Sequence, residues 1–93
     1  MSEEKIKLKP TSTFYEELNK LPEKIQKKTW KKLSLFQSSS RHPSLRVKKM
    51  KGYEKIWESS ITKTYRVTFQ WAQSLSKTAI LRRIGTHDML RNP

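Results

Sequence analysis

The sequence predicts an α+β fold in the order β-α-α-β-β-β-β, with two N-terminal helices on one face of a small antiparallel sheet. Two observations carry this. Apolar residues recur at helical spacing from Phe14 to Phe36, and from Leu45 onward the period changes to two. The later strands also follow one another with short connections, which favours a meander, and apolar helix stripes need a sheet face to cover them. At 93 residues the chain has room for one domain, residues 1–93.

Each element has its own signal. Ile6 and Leu8 alternate with Lys5, Lys7 and Lys9, which reads as a short strand ended by Pro10. Thr13 followed three residues later by Glu16 reads as a capping box, opening a helix with Phe14, Leu18 and Leu21 on one face. Pro22 breaks that helix and opens a second, to about Gln37. Its inner stripe is Ile25, Thr29, Leu33 and Phe36, with Trp30 beside it. Lys24, Lys27, Lys28, Lys31 and Lys32 form a solvated outer face. Leu45 and Val47 begin the next strand, whose alternation slips at Lys49 and Met50 as at a bulge. Gly52 supplies a turn. Ile56–Ile61 follows, with Trp57, Ser59 and Ile61 on one face and Ile56, Glu58 and Ser60 on the other. The clearest strand is Tyr65–Trp71. Tyr65, Val67, Phe69 and Trp71 point to the core, and Arg66, Thr68 and Gln70 to an open face. Ala72–Lys77 is a turn, and Thr78–Ile84 is the last strand, ended by Gly85.

Composition removes several function classes. The chain has no cysteine, so disulfides, thiolate metal sites and thiol nucleophiles are out. His42 and His87 are the only histidines, too few for a histidine metal site, and neither metal nor cofactor is expected. No apolar run reaches the length of a membrane span, and Met1–Lys9 lacks the apolar region of a secretory signal. A cytoplasmic protein without membrane contact is the expectation.

Charge then points to a partner. Lys and Arg total 21 against 8 Asp and Glu, a net charge of +13. Residues 41–93 carry twelve basic and three acidic groups, so the second half should hold the surface that meets an acidic partner, nucleic acid first. Lys48, Lys49 and Lys51, then Arg66, then Arg82, Arg83 and His87 converge on the open side of a meander. Lysine attracts phosphate as a point charge, while arginine can grip it with two hydrogen bonds.

The same groups suit RNA cleavage. RNA carries its own nucleophile, the 2′-OH. An enzyme must take the proton from that hydroxyl, stabilise charge on the phosphoryl oxygens and protonate the leaving 5′-oxygen. Arg66 suits charge stabilisation, and His87 suits the acid, because imidazole is the side chain that ordinarily titrates near neutral pH. Glu58 or a lysine such as Lys48 suits the base. Asp88 could orient His87. There is no Gly-rich phosphate loop, since the glycines are only Gly52 and Gly85.

Taken in order, His42-Pro43-Ser44-Leu45-Arg46, Lys51-Gly52, Ile56-Trp57-Glu58, Tyr65-Arg66-Val67 and Arg82-Arg83-Ile84-Gly85-Thr86-His87-Asp88 resemble the RelE/ParE toxin superfamily of bacterial type II toxin–antitoxin modules. The resemblance runs from Pro10-Thr11-Ser12-Thr13-Phe14 to Arg91-Asn92-Pro93, and the Gly-Thr-His ending is nearest the YafQ-like branch. It implies the fold derived above and a ribosome-dependent mRNA endonuclease that cuts A-site codons by the 2′-OH route without metal. It also implies two partners: the ribosome, through its RNA and the A-site mRNA, and an antitoxin that wraps the toxin. Arg66 matches the strand arginine placed at the scissile phosphate, and His87 matches the family's leaving-group acid. Lys48 falls where some members have a histidine. Arg46, Lys49, Lys51, Arg82 and Arg83 match a general RNA- and ribosome-binding surface. Trp57 and Ser59 stand where the RelE branch has lysines, and Ser60 and Thr64 near a His and an Asp of the YafQ-like branch, so the general base is left open. Two other readings share the fold and charge: a ParE-like toxin that poisons gyrase by protein contact, and a catalytically degenerate RNA-binding homologue.

Overall fold

The computed structural model describes residues 5–73 and 76–93. Ser74 and Leu75, inside the expected Ala72–Lys77 turn, and Met1–Glu4 of the N-terminal segment lie outside the described residues. The elements are β1 (Lys7–Pro10), α1 (Ser12–Asn19), α2 (Glu23–Ser38), β2 (Lys48–Lys49), β3 (Trp57–Ser60), β4 (Tyr65–Trp71) and β5 (Thr78–Thr86). Short 3₁₀ segments occupy Pro43–Leu45 and His87–Arg91. The sheet has the order β1-β5-β4-β3-β2. Its last four strands form the expected antiparallel meander, and β1 joins the far edge parallel to β5. A parallel neighbour needs a crossover, and α1 and α2 lie in the connection.

Thr11, rather than Thr13, caps α1. Its Oγ1 accepts the Phe14 N–H at 3.1 Å and also reaches the Leu81 and Arg82 carbonyls at 2.9 and 3.0 Å. The cap therefore ties the helix to β5 as well as satisfying its first turn. The core forms where Phe14, Leu18, Leu33 and Phe36 of the helices meet Ile61, Val67, Phe69, Ala79, Leu81 and Ile84. Phe36 packs edge-on to Phe69 at 5.0 Å and stacks on Trp71 at 5.9 Å, each such pair worth about 0.5–1.5 kcal/mol beyond its buried area. Thr29 is buried at no polar cost, because its hydroxyl donates to the Ile25 carbonyl at 2.8 Å.

Four further expectations are corrected. The strand expected from Leu45 is a 3₁₀ turn that drops Leu45 into the core, where its carbonyl accepts from Ser59 Oγ at 3.3 Å. Only Lys48–Lys49 remain extended. The slip at Lys49–Met50 is the end of that strand, closed by Met50 N–H donating to the Ile56 carbonyl at 2.8 Å. The bulge lies in β5 instead. Thr68 pairs with Arg83 and Phe69 with Leu81, leaving Arg82 as the extra residue. This is why the β5 core residues are Ala79, Leu81 and then Ile84.

Finally, Gly85 does not end β5, and the outer sheet face is not wholly open. Gly85 pairs with Arg66, and a Cβ on it would lie 3.0 Å from Met89 Cβ. The His87–Arg91 segment thus packs down over Gly85, burying Met89. Tyr53 Oη donates to the Arg91 carbonyl at 3.0 Å and holds the segment from the other side.

Candidate functional site

The outer face is organised in rows by strand register. Lys48, Glu58, Thr68 and Arg83 face one another across β2, β3, β4 and β5, and Ser60, Arg66 and Gly85 form the next row. Residues opposed in register share a sheet face. The register thus puts Lys48, Glu58 and Arg66 on one sheet face, with Glu58 against Arg66. It splits the lysine run, because Lys49 opposes Trp57 on the helix-facing side while Lys51 sits exposed in the turn.

Arg66 is held on two sides. Its Nη1 donates to Ser60 Oγ at 3.0 Å and the Thr62 carbonyl at 2.7 Å, with Lys63 O at 3.4 Å. Its Nε lies 3.7 Å from Glu58 Oε1, and the two side chains are only 18% and 9% exposed. The Ser60–Lys63 corner can hold the guanidinium because the chain reverses there, turning carbonyls inward. Among the described residues, Arg66 Nη2 makes no hydrogen bond. A fixed guanidinium with one uncommitted nitrogen is a preorganised anion donor.

Arg66 lines a cleft of about 470 Å³ with Lys28 and Lys32 of α2, Arg46, Lys63 and Ser60. Among the described residues no carboxylate lines it. Five cations gathered without a lining acid repel one another, and a polyanion would relieve that repulsion. Lys28, Lys32 and Lys63 are the residues that sequence reasoning missed, having placed the α2 lysines on a solvated face. A signal was present: Lys24, Lys28 and Lys32 form an i,i+4 ridge of like charge, whereas Lys27 has Glu23 at 3.4 Å.

Arg82 and Arg83 are committed elsewhere. Arg83 Nε and Nη2 grip the Glu17 carboxylate in a bidentate pair, with an Nη2–Oε2 distance of 2.5 Å, and its Nη1 donates to the Asn92 carbonyl at 2.9 Å. Glu17 also accepts the Ile84 N–H at 3.3 Å. Hydrogen bonding to Glu17 raises the Arg83 pKa above its ordinary value, and burial only partly opposes this. Arg82 Nη1 donates to Gln70 Oε1 at 2.7 Å and Nη2 to the Pro93 carbonyl at 3.3 Å. The pair expected on an RNA- and ribosome-binding surface is thus tied to neighbours within the fold: Arg83 to Glu17 and Asn92, Arg82 to Gln70 and Pro93. His87 is exposed at the start of the last 3₁₀ segment, two residues beyond the Gly85 that opposes Arg66. That spacing is about 7 Å along an extended chain. Among the described residues no hydrogen bond joins His87 to Asp88, so the expected orienting contact is not formed.

This arrangement of helices and sheet matches the fold of solved RelE-type toxins. No protein-family model and no curated protein sequence matches the chain. Solved structures match its fold. The RelE of a RelB–RelE antitoxin–toxin complex from Methanococcus jannaschii superposes with a TM-score of 0.70 at 22% identity, over 90% of this chain and 95% of that one. A YoeB/ParE toxin from Agrobacterium tumefaciens gives 0.71 at 13% identity, over 87% and 98%. A free-state mutant of the Escherichia coli toxin RelE gives 0.70 at 17% identity, over 94% and 88%.

Proposed function

We propose that residues 1–93 act as one toxin domain of a type II toxin–antitoxin pair, and that the domain is a ribosome-dependent mRNA endonuclease acting in the cytoplasm. The observation that carries this reading is Arg66: a guanidinium held by Glu58 and the Ser60–Lys63 corner, with Nη2 uncommitted among the described residues, in a cleft whose charged lining among those residues is Lys28, Lys32, Arg46, Lys63 and Arg66 itself. Toxins among the fold neighbours support it, including RelE seen in complex with RelB, and so does the +13 charge.

In this mechanism the RNA 2′-OH attacks the adjacent phosphorus and the P–O5′ bond breaks. Arg66 Nη2 stabilises the charge that builds on the phosphoryl oxygens. His87 gives its proton to the departing 5′-oxygen. Glu58 serves as a positioning residue for Arg66, because it is buried against that guanidinium and closed to a substrate hydroxyl. Lys48, exposed and opposite Glu58, is the remaining base candidate. The antitoxin would cover the cationic surface, and ribosomal RNA would dock on Lys28, Lys32, Arg46 and Lys63.

One observation favours a second reading. With Glu58 committed to Arg66 and no oriented partner for His87, the site also suits a toxin that binds without cutting, as a ParE-like or degenerate homologue would. Induced expression in a bacterial host, followed by primer extension on a highly translated mRNA, separates the two. In-frame cuts that vanish when translation is blocked support the nuclease. Growth arrest with intact mRNA supports a protein target instead.

A further inference from the structure

A second cavity lies on the opposite side of the 3₁₀ corner from Arg66. It measures about 520 Å³ and is lined by Arg41, His42, Arg46, Val47, Trp57 and Trp71. It exists because α2 stops at Ser38 while β3 and β4 present two indoles on the helix-facing side of the sheet, beyond the helix end. Both tryptophans are only partly buried. Phe36 stacks on the Trp71 indole at 5.9 Å and Phe69 meets it edge-on at 5.6 Å, so that ring is held rigid.

The charged lining residues among those described are cationic, Arg41 and Arg46, beside the polar Ser40 and His42. Arg41 and Arg46 are exposed, and among the described residues their guanidiniums make no hydrogen bond or ion pair. His42 is oriented by its own turn: the Ser44 N–H donates to its Nδ1 at 3.2 Å, with Ser44 Oγ at 2.9 Å. Nδ1 is thus an acceptor, and Nε2 is left as an outward donor. Arg46 sits in the left-handed region at φ 47°, ψ 44°, which side chains with a Cβ avoid. That conformation lets one arginine line both this cavity and the Arg66 cleft.

We propose that this cavity is a nucleotide site, with the base against Trp57 and Trp71 and its phosphate on Arg41 and Arg46. Indole faces take any base by stacking, whereas a peptide of carboxylate side chains alone, such as polyglutamate, has no ring to lay on them. The volume falls in the range of small-ligand sites. The nucleotide has two sources, a free mononucleotide or one residue of an RNA strand whose next phosphates run through Arg46 into the Arg66 cleft. The site does not depend on cleavage.

The test uses the full chain with ¹⁵N-labelled tryptophan indoles, titrated with AMP, inorganic phosphate, an adenine hexaribonucleotide and polyglutamate. Expected are shifts of the Trp57 and Trp71 indole signals with Trp30 unmoved, and AMP binding at least tenfold tighter than phosphate. Arg41→Gln with Arg46→Gln should abolish the AMP shifts while the circular dichroism spectrum is retained. If the hexamer alone shifts the two indoles, the site stands with the RNA strand as its source. Equal binding of AMP and phosphate, polyglutamate shifting the indoles where AMP does not, or persistence of the shifts in the double variant would overturn it. Intact mRNA in the primer-extension assay alongside AMP capture would sink the proposed cleavage and leave this site standing.

Discussion

Two arginine–carboxylate pairs lie on the same sheet and differ in how fully the arginine is used. Arg83 and Glu17 form a bidentate, hydrogen-bonded pair, 34% and 23% exposed, with the Asn92 carbonyl taking a further donor. Arg66 and Glu58 are more deeply buried, at 18% and 9%, yet sit 3.7 Å apart, and Nη2 of Arg66 is unpaired among the described residues. Burial alone would predict the reverse, because deeper charges need more complete pairing. The difference assigns them different work. The first pair spends its donors on joining α1, β5 and the C-terminal residues. The second withholds a donor where cations already collect.

The comparison can be broken from the largest effect downward. Val67→Asp places a charge in the fully buried layer beneath both pairs. It should cost ~4 kcal/mol or more, enough to unfold much of a domain this small, read as loss of the thermal transition. His87→Ala should leave melting unchanged and lower mRNA cutting by about 10²–10⁴-fold, as loss of a general acid does; undiminished cutting would remove His87 from the mechanism. Arg66→Ala strands the buried Glu58 carboxylate, so it should both destabilise and inactivate. Arg66→Ala combined with Glu58→Gln should recover much of the stability and none of the activity, a loss of about 10²-fold or more. Recovery of cutting in that double variant would reassign the phosphate contact.

Glu17→Ala should lower stability by about 1–2 kcal/mol, trimmed by solvent screening, and leave activity per folded molecule intact. A loss of RNA binding there would mean that Arg83 is functional after all. The smallest effect belongs to Lys28→Gln or Lys32→Gln. Melting should change by no more than about 0.5 kcal/mol, and the salt dependence of RNA binding should flatten by roughly 0.7 per lost phosphate contact.

The sequence carried most of the fold, through periodicity. The strands at Tyr65 and Thr78, the stripe Thr29-Leu33-Phe36 and the meander all follow from spacing. The bulge was misplaced at Lys49–Met50; the step from Leu81 to Ile84 that marks it in β5 went unread. The rest depended on contacts distant in sequence. Thr11 caps better than Thr13 because its hydroxyl also reaches β5, some 70 residues on. Glu17 captures Arg83 across 66 residues, which no local pattern records. In the site, Arg66 and Glu58 were visible from alternation in neighbouring strands. The α2 lysines were legible only as a ridge of like charge, since their proximity to Arg66 depends on where the Ser60–Lys63 corner meets the helix.

The Glu17 contact has a bearing on self-association. β1 stops at Pro10, so beyond Leu81 the edge of β5 that faces away from β4 has no strand beside it. Unpaired strand backbone of that kind templates stacking of further chains. Glu17 accepts the Ile84 N–H there, and α1 lies along the gap. The remaining borders are a four-residue strand ending in proline and a two-residue strand made only of lysine. A chain that carries Glu17→Ala should therefore be the one that forms thioflavin-positive aggregates on concentration, before its folded fraction has fallen far.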